Sequence, residues 1–275
     1  MASTIATQQT VEPPPAYRAR RDELAALATG IDELPVVIDY TDTEHGVWSA
    51  VSDALHPLWD RHAATGVLAA RELLDLPTDH VPQLIDVDAW LRPLTGFGYR
   101  AVDGILPGGD FFRALARRLF PSTQYVRWEG SPLYTPEPDV IHEVMGHGNC
   151  LACPEIADLH RLAGAAIGRL EHERSRAMIG DVFWFTVEFG VVIEHGEPKA
   201  YGTGLLSSPG ELDWFADHAE LRPIDIVDMA TLDYDIDHYQ PVLFAGESLA
   251  HVHDVIGGFL ADATDDSIDR LLADH

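Results

Sequence analysis

Residues 138–150 read PDVIHEVMGHGNC. Two histidines, His142 and His147, stand five positions apart with Glu143 directly after the first. The zinc-protease box His-Glu-x-x-His holds its histidines four apart, on one face of a helix. On an ideal α-helix a spacing of five leaves the second side chain turned by about 140°. A regular helix therefore cannot make these two residues a pair. Gly146 and Gly148 change the expectation, because glycine accepts backbone angles that end or distort a helix. A helix that ends near Gly146 brings His147 back toward His142, and the pair then needs a third ligand.

Glu188, in FWFTVEFGVV (183–192), is the best candidate. It sits among Phe185, Val187, Phe189 and Val191, where a carboxylate is costly unless it is paired or binds a metal. Two histidines and one carboxylate with open positions suit a non-heme iron(II) centre. The same set serves a catalytic zinc. From spacing and burial alone, iron, zinc and no metal all stay open.

The bulk of the chain narrows the field. Its 275 residues, 46% of them hydrophobic, suffice for a substantial core. Two cysteines make no disulfide framework. The net charge of −27 argues against nucleic acid and anionic membrane as partners. No apolar run reaches the length of a membrane span, and the first residues lack the apolar centre of a signal peptide. The expectation is a cytoplasmic protein with a solvated acidic surface.

Local patterns predict a mainly α chain with small β elements. Residues 1–34 read as a loose N-terminal arm with a short helix near RDELAAL, and 35–275 as a single domain. Val47, Val51, Leu55 and Leu58 recur at helical spacing after a cap at Asp42 or Thr43. ARELLDL, DVDAWLRPL, DFFRALARRLF, IHEVMGH, residues 156–170 and ESLAHVHDVIGGFLADA are further helices. FGYRAVDGIL is a short strand or extended loop. FWFTVEFGVV fits a buried helix or a strand, and HGEPKAYGTGLLSSPGEL a hairpin with a glycine-rich exit.

Several long stretches carry a resemblance. YTPEPDVIHEVMGH, FWFTVEFG, KAYGTGLLSSPGEL and YQPVLFAGESL, with HVPQLIDVDAWLRPLTGF and STQYVRWEGSPLYTPEPD, resemble the tetrahydropterin-dependent aromatic amino acid hydroxylases. The likeness runs in order from about residue 36 to 262. It implies that family's catalytic-domain fold, iron(II) and a tetrahydropterin as cofactors, and O2 and an aromatic amino acid as substrates. His142, His147 and Glu188 match the iron ligands. Arg127 matches the arginine that grips the substrate carboxylate, a task its planar fork suits. Thr135 and Ser207 match hydroxyls that hold the amino acid, and Pro138, Trp184 and Phe189 match the walls around its ring. Phe111 matches the phenylalanine that stacks on the pterin, Gly104 and Leu106 its backbone contacts, and Glu143 a carboxylate beside it.

The chain also departs from the family. Phe183 stands where a tyrosine beside the pterin is usual, Gly148-Asn149-Cys150 follows His147 without the usual proline, and Pro121 replaces a histidine. Cys150 and Cys153 form Cys-x-x-Cys and read as packing residues. The short flanks imply a catalytic domain of bacterial type and a monomer. Trp184 and the apolar Ile236 favour L-phenylalanine, with para-hydroxylation to tyrosine first, and meta-hydroxylation or tryptophan as alternatives. A zinc hydrolase and a non-catalytic binding protein are the readings from other classes.

Overall fold

The structure is a computed structural model that describes residues 12–133, 135, 137–236 and 238–273. The expected loose arm lies partly outside these residues. Within them, helix α1 spans Pro15–Ala25. It docks on the body: Tyr17 donates to the Val126 carbonyl, and the Arg21 guanidinium lies over the Tyr125 ring and pairs with Glu137.

Helix α2 (Asp42–His62) starts from a capping box. The cap is Thr41 rather than Asp42 or Thr43: its hydroxyl accepts from the Glu44 backbone, and the Glu44 carboxylate accepts from the Thr41 backbone. The predicted stripe of Val47, Val51, Leu55 and Leu58 is buried, together with Trp48 and Trp59. Helices α3 (Thr65–Leu74) and α4 (Leu84–Thr95) follow. Strand β1 (Gly98–Ala101) pairs in parallel with β2 (Leu119–Ser122) across helix α5 (Gly108–Ala116). The predicted helix over DFFRALARRLF is thus too long at its end. It stops at Ala116, Arg118 turns through a positive φ of 57°, and Leu119 opens the strand.

The short helix α6 (Asn149–Leu151) leads into α7 (Pro154–Arg169), which packs on α5 so closely that a Cβ at Gly164 would lie 2.4 Å from the Phe112 carbonyl. Helix α8 (Glu173–Phe183) runs into the site. The stretch 195–212 expected as a hairpin supplies only the turn and second strand of the actual one, which pairs β3 (Val191–Glu194) with β4 (Glu197–Ala200). Its turn residues His195 and Gly196 both have positive φ, as a tight two-residue hairpin requires. Beyond it come α9 (Thr203–Leu206), α10 (Pro209–His218), β5 (Glu220–Pro223), α11 (Ile226–Thr231), β6 (Val242–Gly246), α12 (Leu249–Val252), α13 (Gly258–Asp262) and α14 (Asp265–Ala273). The second sheet has the order β4-β3-β6-β5. The chain is mostly helical with few strands, as predicted. Helices α8, α10, α11 and α14 were not read from the sequence. Among the described residues no helix is long and apolar enough to cross a membrane.

Candidate metal centre and cavity

The five-residue spacing resolves in a way the glycines did not suggest. The helix does not end near Gly146. Residues His142–Gly148 form a π-helical segment, and the chain continues helically through Leu151. A π-helix closes its hydrogen bonds from i to i+5. Residues five apart then stand about one turn above each other, and the rings of His142 and His147 meet edge-on at 5.0 Å between centroids. Gly146 serves a different purpose. A Cβ there would lie 2.9 Å from the Thr203 carbonyl and 3.2 Å from the Ser207 Cβ, so its absence lets α9 approach the π-helix.

Glu188 also ends a π-helical segment, Trp184–Glu188, and the Phe189 backbone donates back to the Trp184 carbonyl. Both expectations for FWFTVEFGVV therefore hold in part, since a helix turn is followed directly by β3. One ligand atom each from His142, His147 and Glu188 fit within 4.8 Å of one another. His147 Nε2 is 3.2 Å from Glu188 Oε1, and His142 Nε2 is 3.9 Å from Oε2. Two imidazole nitrogens and a carboxylate converging in a buried place form the donor set of a divalent cation.

Each of these groups is held from behind. Ser207 Oγ is 2.8 Å from His142 Nδ1, and the Thr203 hydroxyl donates to Glu188 Oε2 at 2.6 Å. Trp59 Nε1 donates to the Leu206 carbonyl and anchors the α9 turn that carries both hydroxyls. Burial lowers the His142 pKa to about 4, with His147 adding to the effect. Burial opposes the charged form of Glu188, yet His147, His142 and the Thr203 hydroxyl bring its pKa down to about 2. An ionised carboxylate at Glu188 and a His142 imidazole that resists protonation suit ligation. Glu143 behaves oppositely: burial, then Glu188 and Asp139, push its carboxyl well above the usual range.

The centre opens into a cavity of about 690 Å³. Arg127, Thr135, Pro138, Glu143, Phe111, Phe183, Trp184, Phe189 and Ser207 all line it with the three candidate ligands. Gly104 and Leu106 do not line it; between them Ile105 does. Phe111 meets Phe120 and Phe183 edge-on, at 6.0 and 6.1 Å. Trp184 lies between Phe189 at 4.7 Å and Tyr234, which stacks on it at 4.6 Å. Ile236 stands at the mouth, 70% exposed.

Asp139 is a residue that sequence reasoning missed. It is fully buried, and it accepts from Arg127 Nε at 3.0 Å, from Nη2 at 2.7 Å and from the Arg127 backbone at 2.7 Å. It also accepts from the His142 backbone at 3.1 Å. One carboxylate thus locks the guanidinium to the first turn of the π-helix. The signal was an acid in the apolar run PDVI, three residues before His142. The Nε–Nη2 edge of Arg127 is held by Asp139, and its Nη1 donates weakly to the Pro132 carbonyl at 3.5 Å. The Thr135 hydroxyl donates to the Glu137 carbonyl at 2.6 Å, and Ser207 is engaged with His142. Cys150 and Cys153 are free, buried thiols, and burial first among the causes raises the Cys153 pKa to about 12. That fits packing residues.

Comparison with known proteins agrees with this geometry. Residues 10–266 match the family model described as biopterin-dependent aromatic amino acid hydroxylase. A phenylalanine 3-hydroxylase from Streptomyces coeruleorubidus is 46% identical over 260 residues, covering 94% of this chain and 92% of that protein. A phenylalanine-4-hydroxylase from Dictyostelium discoideum is 37% identical over 257 residues, which cover 90% of this chain but 58% of that longer protein. Among solved structures, phenylalanine hydroxylase from Chromobacterium violaceum, holding iron(III) and 7,8-dihydrobiopterin, superposes with a TM-score of 0.81 at 28% identity. That match covers 92% of this chain and 94% of the other.

Proposed function

The chain belongs to the biopterin-dependent aromatic amino acid hydroxylase family, and on that premise we propose that it hydroxylates the ring of L-phenylalanine at the meta position to give meta-tyrosine. The observation that carries the hydroxylase reading is the convergence of His142, His147 and Glu188 at the floor of the cavity that Arg127 and Trp184 also line. The position on the ring rests on a separate support, the 46% identity to a phenylalanine 3-hydroxylase along nearly the whole length of both proteins. The order of the two outcomes is thereby reversed from the sequence expectation, which put para first.

In this reading His142, His147 and Glu188 hold iron(II), and the bound iron and tetrahydropterin together supply the activation of O2. The rest falls to the chain's own residues. Arg127, stiffened by Asp139, binds the substrate carboxylate and sets how deep the amino acid sits. Pro138, Trp184 and Phe189 enclose its ring and exclude water. Phe111 and Phe183 form an apolar wall for the flat pterin beside Glu143, whose burial favours the protonated carboxyl.

The test is an assay of anaerobically iron-loaded protein with L-phenylalanine, a tetrahydropterin and O2, with ortho-, meta- and para-tyrosine resolved by chromatography. meta-Tyrosine is expected. para-Tyrosine keeps the hydroxylase reading and removes the regiochemical one. Turnover restored by zinc without pterin overturns both.

A further inference from the structure

We infer that His160 is a positioning residue that fixes which ring nitrogen His147 turns toward the metal. The inference rests on the metal reading proposed above and assigns a task to a side chain outside the cavity. His160 lies on α7 with no solvent exposure. Its Nδ1 is 2.8 Å from the carbonyl of Ile156, one helical turn earlier. A carbonyl only accepts, so Nδ1 carries the proton. Its Nε2 is 3.3 Å from His147 Nδ1. The rings of Phe183, Phe97 and Phe120 approach it edgewise at 5.5, 6.1 and 6.2 Å. Such an apolar shell disfavours a second proton on the imidazole.

A neutral ring protonated at Nδ1 offers only a lone pair at Nε2. His147 Nδ1 must then be the donor of the contact between the two rings. The opposite tautomer of His147 would set lone pair against lone pair at 3.3 Å, between two buried rings. With its proton committed to His160, His147 turns a bare Nε2 toward Glu188, 3.2 Å away. The Thr203 hydroxyl lies 3.4 Å from the same nitrogen, and a cation bound there would be shared by Nε2 and the carboxylate. Phe120, whose centroid is 4.4 Å from that of His147, fixes the plane of the His147 ring. His160 fixes its rotation within that plane. The chain Ile156 carbonyl, His160, His147 does on one ligand what Ser207 does on His142. Partners of this kind orient metal-binding histidines and raise their basicity.

Two measurements test it. Long-range 1H–15N spectra of histidine-labelled, metal-free protein are expected to show both His147 and His160 protonated at Nδ1. His147 protonated at Nε2 overturns the inference without any variant. Cobalt(II) affinity, read by chelator competition, is expected to fall about 10- to 100-fold in H160L. H160Q, whose side-chain oxygen can accept from His147, is expected to recover most of that loss. Equal affinities in the wild type and H160L, or no recovery in H160Q, overturn it. Where H160L does not fold, the spectra and H160Q decide. A wild type that binds neither cobalt(II) nor iron(II) removes the metal reading itself, which is a different failure.

Discussion

At the closed end of the cavity the functional groups are held from behind by buried hydrogen bonds, whereas the mouth is lined by exposed apolar side chains. His142 rests on Ser207, Glu188 on Thr203, and Arg127 on Asp139. These residues lie on π-helical segments or pack directly against them. At the mouth, Ile105 and Ile236 are 74% and 70% exposed, and Leu133 and Tyr234 stand partly in solvent. The difference separates two tasks. Placement of the ligands is over-determined by buried hydrogen bonds. Admission of substrate and pterin is left to loops, where scaffolded sites usually keep their variable parts.

This contrast can be broken from either side. The largest effect is expected at the closed end, where Glu188→Gln should abolish stoichiometric iron binding and bring hydroxylation to background. Iron content and product formation on the same sample check it. Arg127→Ala comes next. It leaves Asp139 as an unpaired buried charge and should cost about 3–5 kcal/mol of stability, seen as a lower urea midpoint. Arg127→Lys should keep more of the fold yet raise KM for the amino acid, because a single ammonium cannot reproduce the fork.

Glu211 sharpens the comparison through pH. It is buried against α10's neighbours in the cavity wall, where burial raises its pKa to about 7 although the Gln240 backbone donates to it. Its folded pKa thus exceeds its unfolded value. The folded state is favoured by the protonated form, so this group costs nothing below about pH 4.5. Its cost grows as pH rises toward 7, reaching about 3 kcal/mol above that. Glu211→Gln should therefore stabilise the protein at pH 8 and leave it unchanged at pH 4. Denaturation curves at the two pH values check this. The smallest effect is expected at the mouth, where Ile236→Ala should change stability by no more than about 0.5 kcal/mol and leave iron content unaltered.

The sequence made the three candidate donors legible because their chemistry is local. A carboxylate among Phe185, Val187 and Phe189 announces an unusual environment whatever the fold. The helical stripe of α2 was equally plain. What could not be read was the route by which His142 and His147 meet. Glycine suggested a helix end, but nothing in HEVMGH distinguishes a widened turn from a broken one. The decision comes from α9 packing at Gly146 and from the Asp139 carboxylate at the start of the turn. His160 escaped notice for the same reason, since thirteen residues separate it from the ring it touches. Helix α8 was missed because ERSRAMIGDVF is polar on average and its buried apolar residues, Met178, Ile179, Val182 and Phe183, all fall in its second half. Gly104 and Leu106, carried over by resemblance, lie in the loop before α5 and outside the cavity lining.

The widened turn at His142–Gly148 makes the metal centre depend on chain length as well as on residue identity. Removing any one of the three residues between Glu143 and His147 would return the histidines to a spacing of four, the arithmetic of an ordinary helix. The two rings would then align without the extra residue. Everything downstream would rotate by about 100°. Asn149, Cys150 and Leu151, now buried, would swing out of the core, and α7 would carry His160 away from His147. Substitution scanning cannot expose this dependence, because each substitution preserves the count. Single-residue deletions and compensating insertions after Leu151 can, and only the paired changes should recover a folded protein.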